Sequence, residues 1–129
     1  CGLLPISQQS TFVVPFLGYH DYEGVALRGD EVPRVQADLG RNKFLMLRNH
    51  GLLACGESVA EAFDLMYYLE RSCQSQINAM AGGAKLRMPA AGVAEKTAAQ
   101  FLKLPYKAQK TEWKAHLRML DKTEPSYKD

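Results

Sequence analysis

The sequence predicts an α/β fold, and two observations carry that prediction. The apolar runs Phe44-Leu45-Met46-Leu47 and Leu52-Leu53-Ala54-Cys55 are bounded by glycine or polar corners, long enough for buried strands and too short for helices. They lead into a serine-capped stretch in which apolar residues recur at steps of three or four from Val59 to Met80, the period of a long helix. Strands alternating with helices make a layered α/β domain. With 129 residues, 47% apolar and 23% charged, the chain suits one domain over 1–129 with a moderate core.

The chain opens Cys1-Gly2-Leu3-Leu4-Pro5 without an initiator methionine, which reads as a cut from something longer. Residues 11–17 are rich in β-branched and aromatic side chains, so a strand is expected over 11–14 with Pro15 at its end or on an edge, followed by a loop over 18–24. Val25-Ala26-Leu27-Arg28 is too short to assign. The Gly29-Asp30 turn leads into a short helix with Pro33 in its first turn, Val35 and Leu39 on its apolar side and Gly40 at its end.

Next come the Phe44 strand, an Asn49-His50-Gly51 corner and the Leu52 strand, broken by Gly56. Ser58 and Glu61 form an S-x-x-E capping box that starts the long helix, which the Gly82-Gly83 pair stops. Its expected inward face is Val59, Phe63, Met66, Leu69, Cys73, Ile77 and Met80, and one of Tyr67 and Tyr68 must also face the core. After a connector over 85–92, a helix over 93–102 turns Ala94, Ala98, Phe101 and Leu102 inward. Pro105 breaks that pattern. A last helix, from about 107 or 111 to 122, is anchored by Trp113, Leu117 and Leu120 and ended by Pro125.

Composition narrows the functions. No apolar run approaches the roughly 18 residues a membrane span needs, and the N-terminus lacks the order of a signal peptide, so a cytoplasmic, non-membrane protein is expected. Cys1, Cys55 and Cys73 form no C-x-x-C pair. They read as reduced thiols, the last two as small buried hydrophobes. Residues 85–129 hold ten Lys or Arg against five Asp or Glu, while residues 1–84 hold six against nine. With neither a dense basic block nor interleaved aromatics, this asymmetry reads as a solvated face, and no nucleic-acid partner is expected.

His50 is the leading candidate for chemistry, because a strand-end corner exposes a side chain while fixing its direction, and imidazole nitrogen suits zinc. Taken alone, a histidine in a tight corner is more often a hydrogen-bonded structural residue. Asn49 and Gly51 flank it for backbone reasons. Arg48 could clamp an anion but is more readily paired with Asp21 or Glu23. His20, inside Tyr19-His20-Asp21-Tyr22, fits a hydrogen-bonding role better than a metal one, and His116 sits among Lys114, Leu117 and Arg118 with no ligand pattern around it. No Gly-rich phosphate loop and no Ser-His-Asp order is present.

Arg48-Asn49-His50-Gly51 followed by the glycine and capped helix, together with Tyr19 to Gly24 upstream and residues 113–121 downstream, resembles the class II aldolase/adducin family over nearly the whole chain. The resemblance implies a three-layer α/β/α fold with a largely antiparallel central sheet, of which this chain would be the C-terminal portion of an incomplete domain. It implies a zinc-dependent lyase or epimerase acting on a small hydroxylated, often phosphorylated, carbonyl compound, and a homo-oligomer. His50 would match the third zinc-binding histidine. A His-x-His pair and an acidic residue would precede Leu3, so zinc is expected in the intact protein and weakly or not at all in this chain. No catalytic residue is assigned. Where the family's aldolases carry a tyrosine proton donor, residues 4–10 offer Ser7, Gln8 and Gln9, and a glutamine cannot protonate a carbanion. The alternative is a non-catalytic, adducin-like assembly module, which Asp21-Tyr22 with Gly24 and Met119-Leu120-Asp121 resemble.

Overall fold

The computed structural model describes residues 2–25, 29–103 and 108–128. Cys1, part of the 25–28 stretch and the break expected at Pro105 lie outside them. Three strands form one sheet: β1 (Leu17–His20), β2 (Phe44–Leu47) and β3 (Gly51–Ala54), in the order β1-β2-β3. β1 runs parallel to β2, with Leu17 opposite Phe44 and His20 opposite Leu47. β2 and β3 form an antiparallel hairpin. Among the described residues the sheet is therefore mixed, which corrects the largely antiparallel expectation. A crossover joins the first pair, as parallel neighbours require.

Side chains alternate across a strand, and that alternation assigns the layers. Phe44, with Leu17, Met46, Leu52 and Ala54 packed around it, faces α1 (Gln8–Val13) and α3 (Val59–Ala81), which contribute Phe12, Val13, Leu65 and Leu69. Leu45 is fully buried on the opposite face, where α2 (Val32–Leu39) covers the sheet. The approach of α2 is close: a Cβ on Gly18 would stand 2.6 Å from the Asp38 carbonyl oxygen and 3.0 Å from Leu45 Cδ1. The helices thus lie on both faces. Outside α1 and α3 run α4 (Val93–Lys103) and α5 (Ala108–Thr123), followed by a 3₁₀ turn at Pro125–Lys128.

The first segment corrects the strand expected over 11–14. Ser7 caps α1, its Oγ accepting from the Ser10 amide at 3.1 Å while Ser10 Oγ accepts from the Ser7 amide at 2.8 Å. The helix so nucleated brings Phe12 within 6.1 Å of four rings, those of Phe16, Phe44, Tyr68 and Phe101. Each such aromatic pair adds about 0.5–1.5 kcal/mol beyond its buried area, enough to override the β propensity of Val and Phe. A short 3₁₀ turn over Val14–Phe16 follows, and the strand runs over Leu17–His20, into the first part of the expected loop.

α2 and α3 keep their expected bounds, with Gly40 (φ 52°) and Gly82 at their ends. The inward face of α3 differs from expectation: Val59, Phe63, Ile77 and Met80 are exposed, and the buried row is Leu65, Leu69, Ser72 and Gln76. Two polar residues turn inward because they have work there. Gln76 Oε1 accepts from the Leu4 amide at 2.6 Å and its Nε2 donates to the Gly2 carbonyl at 3.0 Å, so the side chain serves as the neighbour an extended strand would have. Ser72 donates back to the Tyr68 carbonyl at 2.7 Å.

The capping box is half formed. Ser58 accepts from the Glu61 amide at 3.2 Å, but Glu61 reaches the Glu57 amide and Lys43 instead of the Ser58 amide. Tyr68 faces the core and Tyr67 the solvent. Ala94 and Ala98 are buried as expected, whereas Leu102 is exposed. Cys55 is exposed too, against expectation, and Cys73 is half-buried, which pushes its thiol up. No helix among the described residues is long and apolar enough to cross a membrane.

The close seating of α2 makes Gly18 sensitive. We expect Gly18→Ala to lose about 1–3 kcal/mol in chemical denaturation, because backbone and not a flexible side chain must yield. Gly51→Ala, whose new methyl meets nothing within 4 Å, should stay within roughly 0.5 kcal/mol of the parent.

Candidate functional site

Parallel pairing brings the C-terminal ends of β1 and β2 to one edge of the sheet, so the segments after each strand lie side by side: 21–23 after β1 and 48–50 after β2. The second is the hairpin corner. The His50 amide donates to the Leu47 carbonyl at 3.0 Å, and Asn49 takes φ 58°, a left-handed conformation that asparagine accepts better than most residues. With Asn49 in that state His50 is held out from the sheet, exposed, with its ring edge-on to Tyr22 at 6.4 Å between centroids. Among the described residues no hydrogen bond or ion pair engages its ring nitrogens.

Arg48 ties the two segments together. Its Nη1 donates to Asp21 Oδ1 at 2.6 Å, its guanidinium lies 5.0 Å from the Tyr19 ring centroid, and its amide donates to the His20 carbonyl at 2.9 Å. Of the two acids expected for it, Asp21 is the partner. Glu23 instead receives Arg34 from α2 through Nε, at 2.9 Å to each carboxylate oxygen, and through Nη2, and the guanidinium holds its carboxyl below the usual carboxylate range.

The three histidines have separate fates. His20 points to the α2 face, is buried, and engages both nitrogens: Nδ1 lies 2.8 Å from Asp38 Oδ2 and Nε2 3.2 Å from Glu31 Oε1. This is the hydrogen-bonding role expected of it. His116 is half-buried on α5, 5.2 Å from the Phe63 ring and far along the chain from the strand ends. Only His50 presents an imidazole outward at the sheet edge. No group of three or more His, Cys, Asp or Glu close enough to hold a metal ion occurs among the described residues. An open groove of about 470 Å³ lies elsewhere, lined by Gln8, Thr97, Gln100, Phe101 and Lys103, and contains none of these groups.

Sequence reasoning missed Asp38 and Glu31 as partners of His20, and Tyr22 as the ring against His50. The Tyr19-His20-Asp21-Tyr22 cluster signalled a polar wall, but nothing in the sequence pairs it with a helix that begins at Val32, ten residues after the cluster ends.

Residues 1–77 match the family described as the Class II Aldolase and Adducin N-terminal domain. The match lies in the N-terminal part of this chain and not over its C-terminal portion. A Pseudomonas aeruginosa protein that bears a provisional aldolase class 2 name is 47% identical over 131 residues, covering 98% of this chain and 51% of that protein. The crystal structure of an aldolase II superfamily protein from Pseudomonas syringae superposes with a TM-score of 0.90 at 38% identity, over 99% of this chain and 52% of that one. Human gamma-adducin is 41% identical over 83 residues, 64% of this chain and 12% of adducin. The chain thus spans about half the length of the curated relatives it matches.

The left-handed Asn49 sets where His50 stands. Asn49→Gly should leave stability within about 0.5 kcal/mol, whereas Asn49→Val, with a branched Cβ in a left-handed conformation, should lose roughly 1–2 kcal/mol by the same denaturation measurement.

Proposed function

The chain belongs to the class II aldolase and adducin family, and on that premise we propose that the whole protein is a zinc-dependent lyase or epimerase acting on a small hydroxylated carbonyl compound, phosphorylated or not, with His50 as one of its metal ligands. The observation that carries this reading is His50 itself: an exposed imidazole on a fixed corner, at the strand-end edge where α/β sheets bind ligands, with both nitrogens clear of protein partners among the described residues.

The donor set fits zinc in kind and falls short in number. A catalytic zinc takes about three protein ligands, and the described residues offer one outward imidazole at that edge, so the reading requires further ligands from elsewhere in the whole protein. A zinc ion held there would supply Lewis acidity toward a substrate carbonyl. The chain's own residues contribute position. The Leu47 carbonyl and left-handed Asn49 fix the corner, the Tyr22 edge restrains the imidazole ring, and Arg48, neutralised by Asp21, braces the two segments and is not an open anion clamp.

Association of several copies belongs to the same reading. Val59, Ile77, Met80, Leu102 and Met119 are exposed large apolar side chains, which contact with another copy would cover. The protein is proposed to work in the cytoplasm. A second reading, a non-catalytic adducin-like assembly module, draws on the 41% identity to gamma-adducin and on the glutamines at positions 8 and 9.

Metal analysis of the full-length protein separates the two. We expect about one zinc per chain, falling sharply in His50→Ala with the fold retained by circular dichroism. Zinc content unchanged in that variant would remove His50 from the site, and no zinc in the parent would favour the assembly module.

A further inference from the structure

On the α2 side of the sheet stands a second histidine whose surroundings have a consequence of their own. His20 is only 4% exposed, and each ring nitrogen faces a carboxylate oxygen, Asp38 Oδ2 at 2.8 Å and Glu31 Oε1 at 3.2 Å. An ionised carboxylate only accepts, so both contacts are hydrogen bonds only when both nitrogens carry protons, that is, when the ring is an imidazolium. A neutral imidazole has one N–H and would set a lone pair against one of the two carboxylates.

The two acids belong to parts of the chain that nothing local joins to His20. Glu31 is the residue before the first turn of α2, and Asp38 lies in its last turn, so one ring spans the length of that helix from strand β1. Other charges are arranged around the same point. Glu23, on the segment after β1, lies close enough to act on His20 but is taken by Arg34 of α2, whose Nη1 also donates to the Asp30 carbonyl at 2.8 Å. Asp21 is taken by Arg48 at the end of β2, and the register partner of His20 across the sheet is the apolar Leu47. Among the described residues the cation best placed to balance both Glu31 and Asp38 is therefore the His20 ring.

We propose that His20 is a proton-controlled latch: in its imidazolium form it pins both ends of α2 to the sheet and steadies the 21–23 segment beside His50, and on losing a proton it releases one end. The direction agrees with the charge balance. The Asp38 hydrogen bond, with Glu31 beside it, outweighs the cost of burial and raises the His20 pKa above its ordinary 6.5. A group raised on folding contributes stability that is fully present below the unfolded value and is lost as pH rises through the folded one, so the latch is closed in mildly acid solution and opens toward alkaline pH. The inference does not depend on a metal at His50.

The test is histidine imidazole NMR on the full-length protein, joined to amide exchange over Val32–Leu39 corrected for intrinsic rates. Expected are two protonated nitrogens on His20 at its low-pH limit, a titration midpoint above 6.5, and a loss of α2 protection through that midpoint. His20→Gln should abolish the step. Asp38→Asn, which changes an acid that is itself 44% exposed and so spares the fold, should move it to lower pH. A His20 midpoint at or below 6.5 would overturn the proposal, as would α2 protection that stays constant through the midpoint, or an unmoved step in Asp38→Asn.

Discussion

The parallel pairing of Leu17–His20 with Phe44–Leu47 is the constraint from which the rest of the molecule follows. A parallel neighbour must be reached by a crossover, and the crossover here is α2. The helix can lie against the sheet only because Gly18 has no side chain where the Asp38 carbonyl passes. Once it does, the two faces become different solvents for the side chains they receive. The face toward α1 and α3 is hydrocarbon, centred on Phe12 and Phe44. The face toward α2 carries Leu45 and then, two strand positions along in register terms, the His20 cluster of charges.

Much of this was legible where the cause is local. The Phe44 run, the glycine corner and the Ser58 cap each act within a few residues, and strand, hairpin and α3 start within a position of where the sequence puts them. The strand expected at 11–14 fails for a different reason. The Ser7–Ser10 cap is local and opposes the β-branched composition of 11–14, and what decides between them is the seat of Phe12 among rings from Phe16 to Phe101, which no window of the sequence contains. The apolar row of α3 was likewise read by hydropathy, whereas the burial of Gln76 follows from an extended segment more than seventy residues away that needs hydrogen-bond partners. Leu69 and Cys73 keep their expected inward places, but toward the C-terminal end of the helix Gln76, which satisfies a distant backbone, is buried while Ile77 and Met80 lie on the surface.

The site shows the same division. The corner that exposes His50 is written in Asn49 and Gly51, and the Arg48 partner could be named from the acids nearby. Asp38 and Glu31 could not be matched to His20, because their separations of 18 and 11 residues have no meaning until the crossover is built. Composition alone would let three histidines compete for one metal. The fold removes two from that competition by position: His116 lies against Phe63 at the α3–α5 contact, and His20 points through the opposite face of the sheet.

What separates His20 from His50 is strand alternation and not any difference in their chemistry. Both stand at strand ends on the same edge. His20 is the last residue of β1, in register with Leu47, so its side chain falls on the α2 face, where burial would expel a charge unless acids answer it. His50 is carried past the end of β2 by one left-handed residue and meets only the edge of Tyr22. The first ring is consumed by protein acceptors and the second has none among the described residues. A buried, doubly engaged imidazolium cannot also give a lone pair to a cation, so the charge state that best fits the structure around His20 is the one that bars it from metal binding. The metal site proposed at His50 would then be built outward, away from the α2 face, and the proposed His20 latch would reach it through the 21–23 segment, where Tyr22 stands edge-on to His50.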